Sequence, residues 1–111
     1  MEVRHIDDSS STIDIVGELT GDSEQALADA HEAASGRSTK LVMLNFGGLE
    51  YMNSTGIGLL VTLLIRAQRQ GQRVVAYGLD AHYREIFSLT RLDEAIGIVD
   101  SEADAIAHAA A

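Results

Sequence analysis

Apolar and polar positions follow two different periods along the chain, and each change of period predicts a new element. Residues 2–8 and 11–19 predict two strands of a hairpin, joined at an Asp-Ser-Ser-Ser turn. Residues 22–35 have apolar side chains at helical spacing, and Asp22 followed by Gln25 is typical of a capping box. The first third of the chain therefore predicts a hairpin followed by an amphipathic helix.

The centre of the chain is its most apolar part. Leu41–Phe46 predicts a strand inside a sheet, Gly47–Asn53 a tight loop, and Ser54–Arg66 a helix. One face of this helix carries five residues at helical spacing: Ile57, Leu60, Val61, Leu64 and Ile65. Leu59 and Leu63 lie off that face. They form either a surface for a partner or a second packed layer under a neighbouring helix.

The second half of the chain continues the alternation of strands and helices. Arg73–Tyr77 and Ile96–Val99 predict strands, a helix starts at Gly78–Asp80, and Asp100 or Ser101 caps the last helix. Strands separated by helices favour parallel pairing. We therefore expect one α/β domain over residues 1–111. It has a mostly parallel mixed sheet of about five strands, an antiparallel N-terminal hairpin and about four helices.

The junction of the central strand and helix is the strongest candidate for a site. Asn53 is suited to cap the helix, because its side-chain oxygen can accept a first-turn N–H group. Ser54 is then the first helical residue, at the positive end of the helix dipole, where a phosphate would be favoured. Ser and Thr are also common at helix starts for capping alone. Ser54 and Thr55 therefore do not identify a site by themselves.

Composition limits the classes of function. The chain has 17 acidic and 8 basic residues and a formal net charge of −9, so we expect no binding to nucleic acid. It has no cysteine, which excludes thiol catalysis and fits a reducing cytoplasm. The N-terminus has no apolar signal core, and the apolar run of residues 57–65 is shorter than the roughly 18 residues of a membrane span. We expect a cytoplasmic protein without membrane insertion.

Motifs for catalysis and cofactor binding are incomplete. The Gly-x-Ser-x-Gly nucleophile elbow requires glycine where Met52 stands, and the Gly-Lys-Ser/Thr end of a P-loop is missing. The histidines lack the spacing of metal ligands and are interpreted as surface or helix residues: His5, His31, His82 and His108. We therefore expect no enzymatic activity, no metal and no cofactor.

One stretch resembles a known family. The segment Leu44–Gly58, Leu-Asn-Phe-Gly-Gly-Leu-Glu-Tyr-Met-Asn-Ser-Thr-Gly-Ile-Gly, resembles the signature of the STAS domain, the fold of bacterial anti-sigma factor antagonists. Gly17–Thr20 is similar to the end of an early strand in that family, and Phe87–Ile96 to a late helix–turn–strand segment. Two residues depart from the pattern. Asn53 stands where the family has Asp, and Arg91 where it usually has Gly.

The resemblance implies a regulator that switches partners. The unphosphorylated protein would bind an anti-sigma factor with a histidine-kinase-like ATPase fold, and phosphorylation of Ser54 by that kinase would release it. A metal-dependent serine phosphatase would reset the switch. The implied partner-binding loop is Asn53, Ser54, Thr55 and Gly56. A possible partner face adds Leu59, Leu63, Glu18 and Thr20.

Two alternatives stay open, and Asn53 gives weight to both. In one, the protein is a STAS accessory subunit of an ABC transporter, and Ser54 and Thr55 are docking contacts. In the other, it is a scaffold STAS protein in a sensing assembly and is not phosphorylated. The neighbouring genes would distinguish a kinase-like anti-sigma factor from a transport operon.

Overall fold

The computed structural model describes the backbone of residues 1–110 and the side chains of residues 1–108. Over this range five strands and four α-helices follow one another along the chain: β1 (Glu2–His5), β2 (Ser10–Leu19), α1 (Glu24–Ala34), β3 (Leu41–Met52), α2 (Ser54–Arg69), β4 (Arg73–Tyr77), α3 (Ala81–Leu89), β5 (Gly97–Val99) and α4 (Glu102–Ala110). Two short 3₁₀ helices, Gly21–Ser23 and Leu92–Glu94, precede α1 and β5. The predicted α/β architecture is confirmed.

The strands form one mixed sheet in the order β1-β2-β3-β4-β5. β1 is antiparallel to β2, whereas the other neighbouring pairs are parallel. Both features were predicted from the sequence. Because β2 and β3 are parallel, they end at the same edge of the sheet, and α2 begins there.

Two faces of the sheet are covered differently. The three-helix face packs against α1, α2 and α3 and is formed by Ile13, Ile15, Val42, Leu44, Phe46, Val74 and Ala76. The one-helix face is formed by Leu41, Met43, Val75 and Tyr77 and packs against Ala105 of α4. The main aliphatic core therefore lies on the three-helix face. Among the described residues, no helix combines the length and apolar character needed to cross a bilayer.

The prediction of a loop at Gly47–Asn53 is wrong, because β3 continues as a strand to Met52. β2 extends alongside it, with Val16 opposite Gly48 and Leu19 opposite Met52, through two irregularities of register. The two glycines suggested a loop, but β2 supplies hydrogen-bond partners that a local reading of the sequence does not show. Gly48 also leaves room for Val16, whose Cγ2 is 3.0 Å from the place a Cβ would occupy.

The predicted buried face of α2 is only partly correct. Leu60 and Leu64 are buried as expected, but Val61 and Ile65 are 38% and 44% exposed. Leu63 is buried in the core, so it belongs to a packed layer and not to an exposed partner face. The physical reason is that α1 packs along the other flank of α2 and covers it.

Two predictions around α1 also change. The helix is preceded by a 3₁₀ helix, and the Ser23 side chain, not that of Gln25, accepts a hydrogen bond from the Thr20 N–H (3.0 Å). His31 lies on a helix, as expected, but it is buried and not at the surface. Its Nε2 lies 2.9 Å from Oε1 of Gln72, which satisfies this nitrogen in the interior.

Candidate functional site at the start of α2

Asn53 caps α2, as predicted. Its backbone is extended, and its Oδ1 accepts a hydrogen bond from the Gly56 N–H (2.9 Å). The first intrahelical bond follows from the Ile57 N–H to the Asn53 carbonyl (3.1 Å). Ser54 is therefore the first residue of the helix, and its N–H and that of Thr55 precede this first bond.

The end of β2 and a tyrosine of α3 fix the position of this helix start. The Met52 N–H donates to the Tyr83 hydroxyl (2.9 Å), and the Asn53 N–H donates to the Leu19 carbonyl (3.4 Å). A Cβ on Gly56 would overlap the Leu19 carbonyl oxygen and lie 2.8 Å from the carbonyl carbon. Glycine is therefore required at residue 56, because the helix start touches the backbone of β2.

Ser54 and Thr55 are both exposed, but they have different surroundings. The Thr55 methyl group lies 3.4 Å from the place where a Cβ on Gly21 would be, so Thr55 leans on the 3₁₀ helix before α1. Ser54 is about 100° away around the helix axis. The structure thus gives these two hydroxyl-bearing residues different neighbours.

A groove of about 520 Å³ runs between α1 and α2, beside the helix start. Its lining extends from Glu24 and Thr55 to His31 and Arg66, and it includes Leu59. Leu59, one of the two leucines predicted for a partner face, is half-buried in this groove. Leu59 therefore remains accessible in part, whereas Leu63, which also lines the groove, is only 3% exposed.

The other two residues of the predicted partner face lie at the end of β2. Thr20 is half-buried and directly precedes Gly21, the neighbour of Thr55. Glu18 is exposed and pairs with Tyr51 of β3. The structure therefore brings the end of β2 to the same edge of the sheet as the helix start, where Thr20 adjoins the residue that Thr55 contacts.

An exposed apolar surface on α2 was missed by the sequence analysis. Ile57, Val61 and Ile65 recur every fourth residue and form a continuous row, which we call the aliphatic stripe. Ile57 is half-buried and the other two are exposed. The signal was the number of apolar residues on this helix, which exceeds what one packed face needs. The stripe begins one turn after Ser54.

The first turn of α2 carries no charged side chain of its own. Its last turn carries Arg66 and Arg69, which complement the helix dipole. No group of three His, Asp or Glu side chains among the described residues is arranged to hold a metal ion. Ser54 is therefore exposed at a helix N-terminus that has no acidic side chain in its own first turn.

The fold and this capped helix start define the class of protein. Residues 3–100 match the family model described as Mlab, STAS domain. The match runs from β1 to the residue after β5, so it includes the whole of α2. The chain belongs to the STAS domain family.

Several solved structures share the fold. An anti-sigma factor antagonist from Mycobacterium paratuberculosis is 22% identical, with a TM-score of 0.73, and the match covers 96% of this chain and 93% of that chain. The unphosphorylated form of the anti-sigma factor antagonist SpoIIAA is 18% identical, with a TM-score of 0.74 and coverages of 97% and 96%. A sulfate transporter family protein from Wolinella succinogenes is 16% identical, with a TM-score of 0.77 and coverages of 90% and 84%.

Proposed function

We propose that the protein is an anti-sigma factor antagonist that changes partners when Ser54 is phosphorylated. The observation that carries the proposal is the exposed serine at the first position of α2, on a helix start fixed by Asn53 and Gly56. SpoIIAA, which shares the fold, has been solved in unphosphorylated and phosphorylated forms. A protein of this fold that exists in both forms supports a phosphorylation switch for this chain, and its place at Ser54 is our proposal.

The proposed partner is an anti-sigma factor with a histidine-kinase-like ATPase fold. It would bind the helix start and the aliphatic stripe, since both lie on the exposed side of α2. The partner would supply ATP and Mg²⁺, and a metal-dependent serine phosphatase would remove the phosphate. The domain itself would act as a substrate and binding module, without enzymatic activity or a cofactor of its own.

The switch would act at the interface and not through unfolding. A phosphate on Ser54 adds about −1.5 to −2 charges. In the free domain the helix dipole stabilises this charge by about 0.3–1 kcal/mol. At an interface fitted to a neutral hydroxyl, the same charge must be desolvated without an opposite charge beside it, which costs several kcal/mol. The complex would therefore dissociate while the domain stays folded.

The first test identifies the partner and the modified residue. A tagged form of the protein is used to capture partners from its native cell, and the captured kinase is supplied with Mg-ATP. Phosphopeptide mapping is expected to find phosphate on Ser54 in the wild type and in Thr55→Ala, and none in Ser54→Ala. Phosphate on Thr55, or on neither residue with a proven partner kinase, would contradict the proposal.

The second test measures binding by calorimetric titration with the captured partner. Ser54→Ala is expected to bind like the wild type, whereas Ser54→Asp loses a factor of ten or more, which corresponds to about 1.4 kcal/mol. Equal affinities for the wild type, Ser54→Ala and Ser54→Asp would mean that Ser54 is only a helix-start residue. Tighter binding of Ser54→Asp would instead indicate a partner that presents arginines to this site.

The departure at Asn53 can be tested in the same assay. Asn and Asp cap helices about equally well, so Asn53→Asp should leave stability nearly unchanged. We expect the restored carboxylate to speed phosphorylation by offering the kinase a charged contact. Equal phosphorylation rates for the two proteins would show that the departure has no effect on the kinase.

A second candidate is a STAS accessory subunit of an ABC transporter. Two observations favour it: the matching model is described as Mlab, and a sulfate transporter family protein shares the fold. Under this function Ser54 and Thr55 would be docking contacts. The captured partner would be a transporter ATPase, and Thr55→Ala would weaken binding as much as Ser54→Ala, without any phosphate on either residue.

A further inference from the structure

The groove between α1 and α2 has an apolar floor. Leu27 and Leu63 line it and are each 3% exposed, and Leu59 is half-buried beside them. Its volume of about 520 Å³ is within the range of pockets that bind small molecules. Such pockets also contain a few polar groups that orient the ligand. This groove has two of them at the end away from Thr55, His31 and Arg66.

His31 has a ring nitrogen without a partner. The residue is 3% exposed, and it lines both this groove and an adjoining cavity of about 290 Å³. Its Nε2 is bonded to Gln72, but Nδ1 has no hydrogen-bond partner in the described part of the chain. Thr12 Oγ1 is the one described side-chain atom that is both enclosed and without a partner. Nδ1 is therefore open to the cavities that the ring lines.

The hydrogen bonds around His31 determine which ring nitrogen carries the proton. The Ser35 hydroxyl donates its single hydrogen to the His31 carbonyl (2.7 Å), so its oxygen accepts from Nε2 of Gln72 (3.0 Å). The amide oxygen of Gln72 therefore faces His31, and it requires a hydrogen on the ring Nε2. In the neutral ring Nδ1 is then an acceptor, and a ligand must supply an N–H or O–H group to satisfy it.

Arg66 is the second polar group at this end of the groove. It is exposed, lines the same two cavities as His31, and makes no ion pair with any described residue. A guanidinium group can bind a carboxylate through two parallel N–H···O bonds. Asp29 and Glu32 line the adjoining cavity, so a carboxylate is favoured only on the side of Arg66 that faces the groove. This end therefore offers a cation beside a hydrogen-bond acceptor.

The carboxyl end of a peptide has the complementary groups. Its carboxylate suits Arg66, its last amide N–H suits Nδ1 of His31, and an aliphatic side chain suits the leucine floor. At the other end of the groove Glu24 is exposed and can attract an ammonium group. Glu24 and His31 are about 10 Å apart along α1, which is the length of about three extended residues.

We propose that the groove between α1 and α2 binds a short free peptide with an aliphatic carboxyl-terminal residue. Arg66 binds the carboxylate, Nδ1 of His31 accepts the last amide N–H, and the amino end lies towards Glu24. The groove is on a different flank of α2 from the aliphatic stripe. This binding therefore needs neither the anti-sigma factor nor a phosphate on Ser54.

Titration of the full chain with the tripeptide Ala-Ala-Leu tests the site from the ligand side. We expect saturable binding by NMR of isotope-labelled protein, with amide shifts concentrated in α1 and on the flank of α2 that faces it. Amidation of the peptide's carboxyl end should weaken binding about tenfold, because the charged contact with Arg66 is lost. N-methylation of the leucine amide should weaken it about threefold or more through the lost bond to His31. Ala-Ala-Gly should also bind more weakly, because it lacks the apolar side chain.

Variants test the same contacts from the protein side. Arg66→Gln should reproduce the loss caused by amidation, and amidation should then cost little more, because both changes remove one contact. Arg69→Gln is the matched control, since Arg69 is in the same last turn of α2 but does not line the groove. It should change the affinity less than about twofold. His31→Gln keeps a donor for Gln72 and removes the Nδ1 acceptor, so it should bind the N-methylated and unmodified peptides equally.

Several results would overturn the proposal. One is the absence of saturable binding at about 1 mM peptide, and another is amide shifts centred outside the groove. Equal affinities for the free and amidated peptides would mean that Arg66 binds no carboxylate. N-acetylation separates a free peptide from the end of a longer chain. We expect it to cost about twofold through Glu24, and unchanged affinity would contradict the assignment of a free amino end.

Discussion

The two faces of the sheet are stabilised by different physical forces. The three-helix face is closed by aliphatic and aromatic side chains, among them Phe46 and Phe87, whose ring centroids are 6.0 Å apart in an edge-to-face contact. The one-helix face depends on a small apolar cluster and on the charged contacts of Arg4. The first face positions the candidate site, because α2 packs against it. The second face includes part-exposed ion pairs of Arg4, whose strength depends on pH and ionic strength.

This difference predicts different sensitivities. Apolar burial is non-directional and scales with the area removed from water, so the three-helix face should respond mainly to changes in volume. Partly exposed ion pairs are screened by salt and depend on protonation. The one-helix face should therefore respond to pH and ionic strength, and its substitutions should cost less.

The largest expected effect is a cavity on the three-helix face. Phe87→Ala should lower the free energy of unfolding by about 3–5 kcal/mol, because Phe87 is one of the largest fully buried side chains of the main core. Met43→Ala is the counterpart on the other face and should cost about 2–3 kcal/mol, since it removes a smaller side chain from a smaller cluster. Urea denaturation measures both. An equal or larger loss for Met43→Ala would contradict the proposed difference between the faces.

The next effect tests the contact that positions the candidate site. Gly56→Ala should cost about 2–3 kcal/mol, because the new Cβ meets the backbone of Leu19, which cannot move aside easily. Gly58→Ala, on the same helix, adds a Cβ with nothing within 4 Å. It should stabilise the protein by about 0.5–1 kcal/mol through helix propensity. Thermal melts of the two variants would show whether a loss of stability in Gly56→Ala comes from the close contact with Leu19 or from the replacement of a helical glycine as such.

Features set by neighbouring residues could be predicted from the sequence, and features set by distant contacts could not. The Asn53 cap involves a residue only three positions away, and β4 has the predicted bounds Arg73–Tyr77. The bond between His31 and Gln72 joins residues 41 positions apart, and that between Arg4 and Glu102 joins residues 98 apart. No periodicity in one segment indicates such a partner.

The same distinction explains the errors around the candidate site. The chain alone indicated that α2 has more apolar positions than one face needs. It does not indicate which flank of α2 α1 covers. The sequence therefore does not decide whether Leu63 is a partner contact or a packed residue, and it wrongly places Val61 on the buried face. β3 was ended too early because its last residues pair with β2, which a local pattern does not reveal. The helix start was predicted correctly because its geometry is local.

On the one-helix face, acid should remove the contribution of Asp14. Hydrogen bonding from Arg4, and to a smaller extent from Asn45, lowers the pKa of the Asp14 carboxyl, while burial opposes the shift. A lowered pKa in the folded state means that the stabilisation is present above the unfolded pKa of about 3.9 and is lost as pH falls through the folded value.

Asp14→Asn tests this pH dependence. At pH 7 it should cost about 1–2 kcal/mol, a modest value because the Arg4 side chain is 41% exposed. Urea titrations from pH 7 to about pH 2 should show the two stabilities converging below about pH 4. A gap that stays constant over this range would mean that the carboxylate charge makes no contribution.

The smallest expected effect concerns the turn between α3 and β5, which leads from the three-helix face into the sheet. Arg91 has φ = 61° and ψ = 18°, a left-handed conformation in which a Cβ is disfavoured, and this is where the family usually has glycine. Arg91→Gly should therefore raise the free energy of unfolding by about 0.5–1 kcal/mol, after the entropy cost of glycine is subtracted. Arg91→Ala is the control, since it removes the same long side chain but keeps the Cβ and the strain. If Arg91→Ala stabilised the protein as much as Arg91→Gly, the gain would come from losing the arginine side chain and not from the backbone. The left-handed backbone at residue 91 would then not be a measurable source of strain.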